Sequence, residues 1–176
     1  MTKERTIFFN RLRFFIMFGV TMFMLLQAMS ANAQEPPPRP ITVYINPAQG
    51  LIFGAFYQGA TGGTIIINPD GSRSVTGDLI QANLGIPFSP AIFEIDANPG
   101  TLIQILNGPD VTLTGNNGGS IRLHIGNADT GSPFITTVSP PARTQVRIGG
   151  TLTVGNALAN PSGAYSGSFS VTFIHE

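Results

Sequence analysis

The chain has 176 residues, nine Lys plus Arg, nine Asp plus Glu, and no cysteine. Without cysteine there is neither a disulfide scaffold nor a thiol to carry a lipid, and without a basic excess there is no electrostatic pull on nucleic acid or an anionic membrane. Charged residues make up only 10% of the chain, well below the usual quarter, so its outer faces fall to Asn, Ser, Thr and Gly.

Residues 1–33 read as an export signal and not as part of a fold. Lys3, Arg5, Arg11 and Arg13 precede an apolar run from Phe14 to Leu26, and Ala31-Asn32-Ala33 supplies the small residues a signal peptidase reads. The run is shorter than the roughly 20 residues of a membrane span. Cleavage after Ala33 is expected, sending the protein to the periplasm, the cell surface or beyond, with no membrane span in the mature chain. What remains is 143 residues with five Arg, no Lys and eight acids, a formal charge of −3. That length suits one domain, burying about 70% of the surface its unfolded chain exposes. Its scarcity of charge leaves strand edges poorly protected from pairing with other chains.

Gln34 to Pro40 is a Pro-rich leader, extended and without a core of its own, and the folded domain is expected over residues 41–176. Ile41, Val43 and Ile45 alternate with Thr42, Tyr44 and Asn46 as a first strand. Leu51 to Phe56 is a second apolar run, and Gly59 to Gly63 reads as a flexible stretch after it. Thr64 to Asn68 and Arg73 to Thr76 flank Pro69-Asp70-Gly71, a hairpin turn in which Pro presets φ and Gly accepts a positive one. After a loop broken by Pro87 and Pro90, Ala91, Phe93 and Ile95 share a face, with Glu94 opposite. Strands are expected at Thr101 to Leu106, at Val111 and Leu113, at Ile121, Leu123 and Ile125, and at Phe134 to Val138.

The last thirty residues organise the rest. Val146, Ile148, Leu152 and Val154 keep one parity through Gly149-Gly150, which predicts a long strand kinked or bulged at the glycines, because a missing side chain there permits a bend or close backbone approach. Asn156 to Gly167 suits a connection. Phe169, Val171 and Phe173 then alternate with Ser168, Ser170 and Thr172, a terminal strand expected to lie in the core. Turn residues recur every 8 to 12 positions or so, and no window outside the signal segment is an amphipathic helix. The mature domain is expected to be an all-β antiparallel sandwich.

Chemistry is sparse. His124 alternates with core-facing Leu123 and Ile125 beside Arg122, and His175 follows the final strand, so both read as solvent-facing and neither as a metal ligand. Asp70-Gly71 lacks the rest of a calcium loop. Glu94 and Asp96 share a strand face, where two acids are ordinarily just solvated. Gly115-Asn116-Asn117-Gly118-Gly119 leads into a strand and not a helix, so it reads as a hairpin turn instead of a phosphate loop. There is no G-x-S-x-G elbow. Tyr44, Tyr57 and Tyr165 are the only Tyr and Trp is absent, poor provision for stacking sugars, with Tyr57 as the one candidate. No catalytic, cofactor or metal residue is assigned, and no enzyme is expected.

The ordered series Leu51-Ile52-Phe53-Gly54, Gly63-Thr64, Asn68-Pro69-Asp70-Gly71-Ser72-Arg73-Ser74, Ala91-Ile92-Phe93-Glu94-Ile95 with Pro99-Gly100, Gly149-Gly150-Thr151-Leu152-Thr153-Val154-Gly155 and Gly163-Ala164-Tyr165-Ser166-Gly167-Ser168-Phe169-Ser170-Val171-Thr172 resembles a bacterial family, the domain of unknown function 4402. The resemblance spans nearly all of the mature chain. It implies an immunoglobulin-like or pilin-like antiparallel β-sandwich, exported through a signal peptide. No catalytic or binding residue carries over, because the family has no established function. Gly150 and Gly167 are expected where backbone bends or approaches closely, and Tyr165 is placed as a corner tyrosine with its hydroxyl on nearby backbone.

Three functions compete on this footing. The first is a non-enzymatic structural subunit of a bacterial surface fibre or coat, associating with itself or with cell-surface partners through sheet edges. The second is a small adhesin or carbohydrate-binding module using Gln58–Gly63 and Gly115–Gly119, and the third is an exported enzyme. Ile41 to Ile45 has the form of a strand donated to a neighbour, but its closeness to the next apolar run favours a strand in its own sheet.

Overall fold

Period-2 alternation of apolar and polar residues is realised as eleven strands, all paired antiparallel, in residues 40–175, the part of the chain that the computed structural model describes. The expected signal segment and, but for Pro40, the leader lie outside those residues. Among the described residues a single 3-10 turn, Pro47–Gln49, stands beside the strands, capped by the Asn46 side chain accepting from the Ala48 N–H.

The strands are β1 (Thr42–Ile45), β2 (Ala55–Ile67), β3 (Arg73–Ala82), β4 (Ala91–Asp96), β5 (Leu102–Asn107), β6 (Val111–Gly115), β7 (Ser120–Ala128), β8 (Phe134–Ile135), β9 (Thr144–Val154), β10 (Tyr165–Ser166) and β11 (Val171–His175). Eight form one sheet, ordered β1-β4-β9-β7-β6-β10, with β2 added on β9 and β3 on β2. The other three form a sheet ordered β11-β5-β8. The Phe93 ring of the large sheet meets the Phe173 ring of the small one, centroids 5.4 Å apart and planes at 58°. The result is a curled, sandwich-like all-β domain. Its core is formed mainly by the inward parity of β2, β4, β7 and β9, joined by Phe53, Leu79 of β3, Ala97, Ile103 of β5, Leu113 of β6 and Phe134 of β8.

Strand β9 is the centre of the large sheet. Val146, Ile148, Leu152 and Val154 are buried on one parity, as their alternation requires. One edge of β9 pairs with β4 along 144–148 and then with β2 along 150–154, while β7 covers the other edge. Gly149-Gly150 marks the handover. A Cβ at Gly149 would run into the Ile67 carbonyl oxygen, and one at Gly150 would lie 2.7 Å from Leu51 Cδ2. The glycines therefore serve close approach, and β9 itself runs unbroken. The bulge lies on the neighbouring strand, where Gly126 and Asn127 of β7 face Gly149 alone, between the pairs Ile125–Gly150 and Ala128–Ile148.

The turn expected at 69–71 joins β2 to β3. Gly71 has φ of 87°, its N–H donates to the Asn68 carbonyl at 2.9 Å, and Asp70 Oδ1 accepts the Ser72 N–H at 2.8 Å. The stretch expected to be flexible at 59–63 is different. It lies inside β2, where residues 59–62 bulge opposite Asp78 alone, between the pairs Gln58–Leu79 and Gly63–Gly77. Gly62 and Gly77 take φ of 77° and 69°, and added side chains there would strike backbone carbonyls. The ribbon bends hard at this point. Arg73 and Gln81 stand eight residues apart on β3, a separation of about 26 Å in an extended strand. Yet Arg73 Nη2 donates to Gln81 Oε1, and Gln81 Nε2 donates to the Arg73 carbonyl, both at 3.3 Å. Arg73 fastens the fold-back, donating from Nη1 to the carbonyls of Phe53 at 3.0 Å and Ala55 at 3.3 Å, with its guanidinium 4.5 Å over the Phe88 ring.

The two ends of the domain are shallower than expected. Phe169, Val171 and Phe173 have the inward parity but are only half-buried, because β11 is an edge strand with a neighbour on one side alone among the described residues. β1 pairs with β4 of its own chain, with Val43 opposite Ile95. Ile41 and Val43 pack on the core, whereas Ile45 is exposed.

Candidate functional site

The outward parity of the large sheet carries hydroxyls in register. Thr112, Arg122, Thr153, Thr64 and Thr76 form one row across β6, β7, β9, β2 and β3. His124, Thr151, Ile66 and Ser74 form the row beside it. The Oγ1 atoms of Thr64 and Thr76 lie 2.6 Å apart. This is the polar face that the low charge content called for, and Thr suits it because a branched side chain packs well on a pleated surface.

One charged cluster interrupts the hydroxyl rows. Val111 opposite Leu123 brings Asp110, just ahead of β6, alongside β7. Asp110 Oδ2 accepts from Arg122 Nε and Nη2, each at 2.7 Å, and its Oδ1 lies 2.7 Å from His124 Nδ1. His124 is solvent-facing as expected, but it is held by a carboxylate, a partner the sequence reading missed. The signal was an Arg and a His two residues apart on one strand face, with an acid at the far end of the same hairpin.

The hydrogen bond from His124, followed by the contacts from Arg122, holds the Asp110 carboxyl below the usual carboxylate range. Since the folded value lies below the unfolded one, the cluster's contribution to stability is present above the unfolded value and is lost as pH falls through the folded one. In a carboxyl-carbon NMR titration, His124→Ala should move the Asp110 midpoint upward, towards that of an ordinary Asp. An unmoved midpoint would show that the imidazole contact does not form in solution.

The other residues singled out from sequence fall into structural roles. Glu94 and Asp96 do not act together: Glu94 Oε2 receives Arg143 Nη1 at 2.9 Å, and the Arg143 guanidinium lies 3.6 Å from the centroid of the Tyr44 ring. That pairing raises the affinity of Arg143 for its proton further. Asp96 lines a cleft of about 180 Å³ with Pro40, Thr42, Ala97 and Asn98, smaller than the several hundred Å³ of a typical small-molecule pocket. The turn at 115–119 closes through Gly118 N–H to Gly115 O and Gly115 N–H to Gly119 O, each at 3.2 Å. Tyr165 packs beside it and donates its hydroxyl to the Pro161 carbonyl at 2.6 Å, the corner role expected of it. Tyr57 is 57% exposed, directly opposite Ile80, which is 66% exposed. Among the described residues, no three His, Asp or Glu side chains gather as a metal-binding group.

The buried Asn160 also went unnoticed in a segment that reads as plain connection. Its Oδ1 accepts the Gly155 N–H, and its Nδ2 donates to the carbonyls of Ser120 and, at 3.0 Å, of Ala159. Gln58 Nε2 donates to the Gly155 carbonyl at 2.7 Å. The connection at 155–164 thus touches both the β2 bulge and the 115–119 turn, gathering all three at one end of the sandwich.

Fold and surface together define a low-charge antiparallel sandwich domain with a hydroxyl-rich outer face. The family described as Domain of unknown function (DUF4402) matches residues 43–174, and the chain belongs to it. The match begins within β1 and ends within β11, so the family unit is the whole sandwich with its first strand included. No curated protein and no solved structure matches the chain.

Proposed function

We propose that the protein is an exported structural subunit of a bacterial surface fibre or coat. The observation that supports this most is the set of sheet edges left open in a domain so poor in charge. β1, β3 and β11 each have a strand on one side only among the described residues, and Val171 to Ile174 carry no charge at all. Such edges are templates for pairing with another chain. The N-terminal export pattern supplies the route to the surface, and the Thr-rich face suits a surface bathed in solvent.

Deleting the gene should remove filaments or a coat layer seen by electron microscopy, and antibody against the chain should decorate that layer in the parent strain. An intact layer in the deletion strain, with the protein found free and monomeric in the medium, would overturn this reading. The second reading, a carbohydrate-binding module, draws on the exposed Tyr57. Saturable glycan binding that Tyr57→Ala abolishes would favour it over the subunit.

A further inference from the structure

The open edges are not equally protected. β3 carries Arg73 and Asp78 and is bent at Gly77. β8 and β10 are two residues long. Beyond β8, the edge of β5 is occupied by Ser132, whose hydroxyl accepts the Ile105 N–H at 2.8 Å and donates to the Ile105 carbonyl at 3.1 Å. β1 is four residues long, with the Arg143–Glu94 pair beside it. β11 has none of these devices. From Val171 to Ile174 it holds no charge, proline or glycine.

The direction of its backbone groups follows from one bond. The Ser170 carbonyl accepts the Gly108 N–H at 2.9 Å, so residue 170 faces β5. With a period of two, Thr172 and Ile174 face β5 as well, opposite Leu106 and Gln104. Val171, Phe173 and His175 therefore turn their N–H and carbonyl groups to the other side, where no strand lies among the described residues. On the outer face of the same sheet, Ile174, Leu106 and Ile135 are 39%, 43% and 60% exposed.

We propose that β11 pairs antiparallel with β11 of a second copy of this chain, across a two-fold axis at Phe173, joining two three-stranded sheets into one of six. This rests on the reading of the chain as an assembling subunit. An assembling subunit makes a second copy the occupant of this edge, and the charge pattern of β11 permits it. A two-fold axis sets the residue on it against itself and the adjacent residues diagonally against their own copies, so a charge there would face a like charge. About Phe173, Thr172 meets the second copy's Ile174 and Val171 meets its His175, with no like charges opposed. The six outward backbone groups of Val171, Phe173 and His175 then find partners, and the half-buried Val171 and Phe173 gain a neighbour on their open side.

The absence of native cysteine makes the geometry directly testable. Phe173 sits in a hydrogen-bonded pair, so Thr172 and the second copy's Ile174 form a close non-hydrogen-bonded pair, about 4.5 Å between Cα atoms. That is within disulfide reach, whereas 172 to 172 and 174 to 174 lie on diagonals of about 7–8 Å. Full chains carrying Thr172→Cys and Ile174→Cys, expressed in cells that export them, should be oxidised separately and as a mixture. The mixture should give at least tenfold more covalent dimer than either variant alone, and Thr172→Lys should weaken self-association at least tenfold in sedimentation equilibrium. Equal cross-linking in all three samples, or none in any, would overturn the proposal. Filaments that persist with Thr172→Lys, its self-association unchanged, would remove this edge and leave the subunit reading standing. A mixture-specific dimer from cells whose surface layer survives gene deletion would keep this edge and remove that reading.

Discussion

Ile148→Ala should destabilise the domain by about 2–5 kcal/mol in chemical denaturation, while Phe169→Ala should cost about half of what a fully buried ring does, about 1.5–2.5 kcal/mol. Ile148 is 0% exposed on the central strand, with Ala91 of β4 on one side and Ala128 of β7 on the other. Both neighbours are small and fixed by backbone pairing, so they cannot close over the space left by the lost atoms. Phe169 has more atoms to lose, yet it precedes an edge strand and is only half-buried, so much of its ring is already in water. The larger residue should thus have the smaller effect. Equal losses, or a greater loss at Phe169, would mean that β11 is covered more deeply than its edge position allows.

That contrast shows which part of the fold the sequence made legible. Parity is a local property, set by which alternate residues are apolar, and the alternating stretches of β2, β4, β7 and β9 put the expected face inward, although Ile45 of β1 is exposed. Depth is not local. Phe93 and Phe169 look alike in their alternating surroundings, but β4 lies between β1 and β9 while β11 ends a sheet. The β2–β3 corner shows the same limit. Gly-rich residues 59–63 look like a loop because glycine permits one, yet the strand continues through them, since Gln58 and Gly63 both find partners on β3. The anchor of that corner is Arg73, whose contacts at Phe53 and Ala55 lie 20 and 18 residues away in sequence. The Asp110 cluster was half visible. Arg122 and His124 were read correctly onto one face, but the acid that joins them is placed by the hairpin register, which no local pattern prints.

Asn160→Ala should be among the most damaging substitutions of a polar residue, costing about 2–6 kcal/mol through two groups left unpaired at about 1–3 kcal/mol each. The amide is 3% exposed, and both of its ends are used: Oδ1 by the Gly155 N–H, just past the end of β9, and Nδ2 by the carbonyl of Ser120, at the start of β7. Alanine supplies neither a donor nor an acceptor, and the position is too enclosed for solvent to replace them freely. Asn160→Asp separates the two roles. The carboxylate still accepts from Gly155, but when ionised it has no proton to offer Ser120, and it must hold a charge away from water. Burial and the loss of a donor both raise its folded pKa above the unfolded value. Stability of that variant should therefore be greatest below the unfolded value, where a protonated carboxyl can donate again, and should fall as pH rises through the folded one. Urea denaturation of parent and variant at pH 4 and pH 7 should show the variant closer to the parent at pH 4. A gap that stays constant between the two pH values would mean the side chain reaches solvent, and the 155–164 connection would then be held to β7 by something other than this amide.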